Sequence, residues 1–160
     1  MHIIKYLTKR IRATKAKKFI ADDTDKKLLD LGCGDNFFIK SFKNIYAVGL
    51  DKKYGHDIEE NLDYRNNYFD YITMLAVIEH LNDYEKVVRE CYRILKPGGK
   101  LIISTPLKKA EKFIKLYFHD DLDHKRYFVR KDFENFTGFN LIHYITFEFR
   151  LNQLVVLEKK

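Results

Sequence analysis

Leu28-Leu29-Asp30-Leu31-Gly32-Cys33-Gly34-Asp35-Asn36 reads as a short apolar run that passes straight into a glycine turn. Leu28 to Leu31 is too short for an ordinary helix and suits a strand buried on both faces, as in a parallel sheet. Gly32 and Gly34 let the backbone turn sharply and approach a ligand with no Cβ in the way. Asp35 and Asn36 are helix N-cap types, and Phe37, Phe38 and Phe42 fall as the apolar positions of a short helix behind them. Strand, turn and helix predict one α/β unit whose helix N-terminus presents free N–H groups to a carboxylate. Such a turn alone also serves as a tight strand-to-helix connection, so its neighbours carry the weight.

Working outward, Asp22 to Asp25 form a polar break before the strand, and Ile45 to Leu50 read as a second buried strand ending at Asp51. A possible short third strand, His56-Asp57-Ile58, follows so soon that little room is left for a crossover helix. Phe69 to Leu75 gives a fourth strand. Tyr84, Val87, Val88, Cys91, Ile94 and Leu95 then recur at helical spacing until Pro97-Gly98-Gly99 stops the helix. Leu101 to Thr105 is a fifth strand closed by Pro106, and Phe113 to Phe118 is weakly helical. Asp132, Phe133 and Phe136 predict a short helix ending at Gly138. Leu141 to Phe149 and Leu154 to Leu157 then pair as an antiparallel hairpin around Arg150 to Gln153. The expected fold is α/β: a doubly wound, mainly parallel seven-stranded sheet with an antiparallel C-terminal hairpin.

With 160 residues, 46% hydrophobic and 15% aromatic, the chain can bury one core, so residues 1–160 are read as one domain. The net charge of +7 is uneven. Lys5, Lys9, Arg10, Arg12, Lys15, Lys17 and Lys18 stand in residues 1–20 with no acid, which leaves 23 bases against 23 acids in the rest. Ile4, Leu7 and Ile11 share one helical face there, so a basic amphipathic N-terminal helix is expected ahead of a core spanning 26–160. Packing over the site with a solvated basic face is its expected role; contact with RNA or an anionic membrane is the alternative. No run reaches the roughly 18 apolar residues of a membrane span, and the N-terminus lacks the apolar stretch of a secretory signal, so a cytoplasmic location is expected. Cys33 and Cys91 lie in a turn and on an apolar helix face, which predicts reduced, unreactive thiols and no metal cluster.

Ligands of doubly wound sheets bind at the carboxyl ends of the strands, which draws attention to the acids placed there. Asp51, with Lys52 beside it, can accept two hydrogen bonds from a ribose diol. Asp57 can accept from an exocyclic amine, and Ile58 can cover an adenine face. At this point LLDLGCGDN, the VGLD ending at Asp51, FDYITMLAVIEHL from Phe69 and ECYRILKPGGKLIIS from Glu90 resemble, in order, the successive motifs of class I S-adenosylmethionine-dependent methyltransferases, which are Rossmann-like. The branch is that of small-molecule and ubiquinone-pathway O-methyltransferases; residues 26–106 match well and the tail loosely.

The resemblance implies S-adenosyl-L-methionine as cofactor. Asp30, Gly32 and Gly34 match the motif that holds its methionine part, Asp51 the acid on the ribose, Asp57 and Ile58 the pair beside the adenine, and Leu75 a position whose backbone touches the methionine amino group. Asn36 stands where the family usually has a third glycine, and its side chain falls near the cofactor. A dinucleotide site would need a glycine at the sixth position from Gly32, where this chain has Phe37.

Methyl transfer is an in-line displacement, so orientation in a dry site supplies most of the acceleration and no covalent nucleophile is needed. A hydroxyl acceptor calls for a general base, and His80 after the fourth strand and His124 in DDLDHKRYF are the candidates. Related O-methyltransferases carry a histidine loop near the position of His124, while His80 also suits a local hydrogen bond. No Asn/Asp-Pro-Pro-aromatic motif or Pro-Cys dipeptide is present, so a small-molecule acceptor is expected ahead of nucleic acid. The alternative is a non-catalytic or partner-dependent cofactor-binding domain.

Overall fold

The computed structural model describes residues 2–111 and 123–160, with side chains from residue 6 onward; the Phe113 to Phe118 segment lies outside the described residues. β1 (Lys27–Leu31) carries the apolar run ahead of the glycine turn, and Leu28, Leu29 and Leu31 are wholly buried in it. It pairs in parallel with β2 (Tyr46–Leu50) on one side and β3 (Phe69–Leu75) on the other. β3 pairs in parallel with β4 (Leu95–Pro106), and β6 (Asn152–Lys159) and β5 (Phe139–Phe147) complete the sheet antiparallel, in the order β2-β1-β3-β4-β6-β5.

The sheet therefore has six strands among the described residues, not the seven expected. The third strand at His56–Ile58 does not form. Asp51 caps a single 3-10 turn at Lys52–Tyr54, and Asp57 accepts the Glu59 N–H at 3.0 Å, so two Asx-type turns consume the backbone that a strand would extend. Ile58 and Leu62 instead turn inward and fill the core.

The helix expected after the glycine turn is also reduced, to one 3-10 turn at Ile39–Ser41. Asn36 has φ +62°, which no helix interior accommodates, and it ends the turn before a helix can start. Phe38 still reaches the core, where it packs edge-on against Phe42 with ring centres 5.2 Å apart.

α2 (Tyr84–Ile94) follows the periodicity closely. Asp83 caps it by accepting the Lys86 N–H at 2.9 Å, and Val87, Val88, Cys91 and Ile94 are buried. Together with α3 (Arg130–Glu134) and Phe128, α2 covers one face of the sheet over Leu29, Leu31, Met74 and Leu101. The opposite face, with Leu28, Ile102, Leu154 and Val156, is covered by α1 (His2–Lys17) and the Phe38 turn. α1 is turned half a revolution from expectation: Ala13 and Ala16 meet the sheet, while Leu7 and Ile11 are exposed. Small side chains let the helix approach closely, which the bulkier stripe would have prevented.

Candidate functional site

The carboxyl ends of β1, β2 and β3 come together under the N-terminal helix. Gly32 has φ +72° and donates its N–H to the Leu50 carbonyl at 2.8 Å, while Cys33 donates to the same carbonyl at 3.2 Å. Gly34, φ +58°, donates to Asp51 Oδ2 at 2.9 Å, and Lys53 donates to the other oxygen at 2.9 Å. The Asp51 carboxylate thus ties the end of β2 to the glycine turn, and each oxygen keeps a lone pair for a further donor.

Asp30 lies beneath this turn, buried, and accepts the Thr73 hydroxyl at 2.6 Å. Burial pushes its carboxyl up to about 7 in spite of that hydrogen bond. Asn36 packs over Gly49 of β2: a Cβ there would stand 2.4 Å from Asn36 Oδ1 and 2.6 Å from Cys33 Sγ. Asn36 Oδ1 is buried without a hydrogen-bond partner, and burial raises the Cys33 thiol to about 11, so it stays protonated. Lys52 pairs with Asp57 at 3.3 Å, and the backbone N–H of Glu59 and then Lys52 hold Asp57 below the usual carboxylate range. The Ile58 side chain is buried in the core cluster.

A cavity of about 60 Å³ is lined by Asp30, Gly32, Leu75 and, from α1, Lys9 and Arg12. Sequence reasoning missed Arg12. One guanidinium nitrogen donates weakly to Asn152 at 3.4 Å, and its Nε is buried with no partner. The N–H groups expected to receive a carboxylate are spent within the turn: Gly32, Cys33, Gly34, Asn36 and Phe37 each donate to a protein oxygen. The small residues Ala13 and Ala16 were the sequence signal for the inner face of α1, and Arg12 adjoins them.

The two candidate histidines meet. His80 and His124 have ring centres 4.9 Å apart, and His80 Nδ1 donates to the Asp123 carbonyl at 2.7 Å. His124 Nδ1 lies 3.1 Å from the Tyr127 hydroxyl. Burial, and then the charge of His80, lower the proton affinity of His124. Glu79, only 1% exposed, is the third member: burial raises its proton affinity, against the pull of its own backbone N–H and the Thr105 hydroxyl. Ligand-capable atoms of Glu79, His80 and His124 all lie within 4.8 Å of one another, a set able to pass a proton or gather a cation. Arg12 faces Glu79 as well, so it links this cluster to the cavity. Ala76, at φ +62°, holds the turn between Leu75 and the cluster.

Against known proteins, residues 3–144 match the family model described as a methyltransferase domain. The ubiquinone biosynthesis O-methyltransferase of Pseudomonas entomophila is 31% identical over 102 residues, a match covering 50% of this chain and 44% of that protein. The chain thus matches less than half the length of such relatives. Among solved structures, the complex between the Haloferax volcanii Trm112 methyltransferase activator and a methyltransferase aligns with a TM-score of 0.75 at 17% identity, over 92% of this chain and 88% of that one. A SAM-dependent methyltransferase from Archaeoglobus fulgidus gives a TM-score of 0.72 at 16% identity, over 94% of each.

Proposed function

This chain belongs to the class I S-adenosylmethionine-dependent methyltransferase family, and from that premise we propose that it transfers a methyl group from S-adenosylmethionine to the hydroxyl of a small-molecule acceptor. The observation that carries the reading is the Asp51 carboxylate held against the Gly34 turn, with the unpartnered guanidinium Nε of Arg12 across a cavity from Gly32 and Leu75.

The residues present fit the cofactor's groups. Asp51 has lone pairs free for a ribose diol, and Arg12 has an unsatisfied buried donor for an α-carboxylate. When bound, the cofactor supplies an electrophilic sulfonium methyl. A cavity of about 60 Å³ lies between α1 and the strand ends, with Lys9 and Arg12 on its α1 side.

His124 acts as the base on the acceptor hydroxyl. Its lowered proton affinity keeps it neutral at neutral pH, and His80 and the Glu79 carboxyl lie within reach to receive or return the proton. His80, whose Nδ1 is engaged by the Asp123 carbonyl, is the alternative base. The hydroxyl acceptor is supported by this histidine pair and by the O-methyltransferase named among the relatives. Action in the cytoplasm on a small molecule completes the reading.

Calorimetry with S-adenosylmethionine, S-adenosylhomocysteine and NAD, followed by a labelled-methyl screen of catechols, small carboxylates, lipids and RNA, tests it. Binding of S-adenosylhomocysteine and labelling of a hydroxyl compound are expected; preference for NAD overturns the cofactor, and labelling confined to RNA overturns the acceptor. A second reading, dependence on a partner protein, draws support from the activator in the Haloferax volcanii complex. It predicts cofactor binding with no transfer until a second protein is added.

A further inference from the structure

α1 has two unlike sides. Ala13 and Ala16 face the sheet and Lys9 and Arg12 face the cavity, while half a turn around the helix Leu7 is 50% and Ile11 38% exposed. Tyr6, 52% exposed, lies beside them and is held by Arg10, whose guanidinium donates to its hydroxyl at 2.7 Å. Exposed Arg10 and Lys18 border this apolar stripe, while half-buried Lys15 and Lys17 lie over Phe147 and Phe42, and no acid occurs in the first 20 residues.

A second apolar group stands next to the helix. The β5–β6 turn places Glu148, Phe149 and Arg150 in succession at positive φ, 50°, 55° and 60°, a backbone that non-glycine residues avoid, and it leaves the Phe149 ring 98% exposed. The turn is fixed against α1: Phe147 packs with Ala13 and Ala16, Lys15 Nζ lies 5.3 Å from the Phe147 ring centre, and Arg12 reaches Asn152.

We infer that the outer face of α1 and the Phe149 tip form a docking surface for an anionic lipid bilayer. Large apolar side chains bordered by cations match the two layers of such a surface, with acyl boundary for the first and phosphate for the second. A nucleic acid backbone would reward the cations but not Leu7, Ile11 or Phe149. A second copy packed through the same face would set basic, acid-free stripes against each other, which an isologous contact cannot avoid. No helix among the described residues is long and apolar enough to cross a membrane, so contact is with the surface. Because Lys9 and Arg12 line the cavity from the same helix, a bilayer that holds α1 by its outer face also bears on the cover of the site. This inference stands apart from the methyl-transfer reading.

Sedimentation with vesicles of phosphatidylcholine alone, or of equal parts phosphatidylcholine and phosphatidylglycerol, tests the surface without any measure of catalysis. Capture by the anionic vesicles only is expected, with a loss of about tenfold or more in partitioning for the L7E/I11E double variant. The chain has no tryptophan, so F149W is a single reporter whose emission shifts to the blue on the anionic vesicles. Thermal unfolding of both variants, expected to match the parent because these side chains are exposed, shows that they fold. Failure to bind anionic vesicles, binding that L7E/I11E leaves unchanged, or an unshifted F149W spectrum overturns the inference. So does a concentration-dependent dimer, or RNA capture, that the double variant abolishes in place of vesicle binding.

Discussion

Asp51, the last residue before the turn out of β2, accepts the Gly34 N–H at 2.9 Å and so joins the ends of two neighbouring strands through one carboxylate. The same group caps the Lys52–Tyr54 turn. Asp51→Ala removes both acceptors and the proposed ribose contact together. S-adenosylhomocysteine affinity should fall by about 1–3 kcal/mol, the cost typical of losing hydrogen bonds to a charged group. Asp51→Asn, which retains one acceptor oxygen, should fall between. Calorimetric titration measures both, and unchanged affinity in the alanine variant removes Asp51 from the site.

Gly32 has no room for a side chain. A Cβ would stand 2.4 Å from Val77 Cγ2, and φ of +72° strains any L residue independently. Gly32→Ala should destabilise the protein by about 1–3 kcal/mol. Adding Val77→Ala should recover the steric part but not the backbone part, so the double-variant cycle in denaturant unfolding should show partial rescue. Full rescue would mean that the left-handed conformation costs nothing here.

Those two residues belong to the part of the fold that was legible in the chain. Leu28–Leu31 and Phe69–Leu75 are mainly apolar runs of strand length that form inner strands. Ile45–Leu50 is as apolar and also forms a strand, but at the sheet edge, where Tyr46 is exposed and Ala47 to Gly49 are half-buried, so it is not the buried strand its composition predicts. The helix expected behind the glycine turn does not form because Asn36, an N-cap type, serves equally well as a left-handed turn residue. Three residues at His56–Ile58 carry too little periodicity to outweigh the Asp51 and Asp57 turns. In α1, Ala13 and Ala16 are weak in hydrophobicity but decide the packing, so the stripe of Leu7 and Ile11 does not mark the buried face. Arg12 follows from that face, since a buried arginine carries no sequence signal of its own.

Arg12 can be separated from general scaffolding by choice of ligand. Arg12→Met removes a buried, unpaired Nε while preserving most of the side-chain volume, so stability should change little or rise slightly. Binding of S-adenosylhomocysteine should weaken by about 1.5–3 kcal/mol, because a charge-assisted hydrogen bond is lost. Binding of an adenosine thioether without the amino-acid part should be unaffected. Equal losses for both ligands would assign Arg12 to folding rather than to carboxylate recognition.

His124 predicts the shape of the pH profile. Burial and the neighbouring His80 lower its proton affinity, so the neutral, proton-accepting form persists to more acidic pH than for a free imidazole. The acid limb of kcat against pH should therefore lie below about 6.5. His124→Gln should remove that limb and lower kcat by about 10²–10⁴ with little change in S-adenosylhomocysteine affinity. If His80→Gln removes the limb instead, the base is the exposed partner, His80.

Asp30 makes stability depend on pH with a sign opposite to that of most carboxylates. Burial raises its folded-state value from an ordinary 3.8 to about 7, against the pull of the Thr73 hydrogen bond. Between those two values the folded chain holds a proton that the unfolded chain has released. The contribution of Asp30 is therefore present in full below the unfolded value and is lost as pH rises through the folded one. Stability should decline across pH 4 to 7 by as much as about 4 kcal/mol from this group, an upper figure because water entry and relaxation reduce such penalties. Asp30→Asn keeps an acceptor oxygen for Thr73 and cannot ionise, so it should lose this decline, and its unfolding free energy should exceed the parent's by a margin that grows from pH 4 to 7. Chemical denaturation at each pH measures the slope. A parent protein whose stability instead rises from pH 4 to 7 by the same amount more than its asparagine variant would show that the Asp30 carboxyl is ionised in the fold.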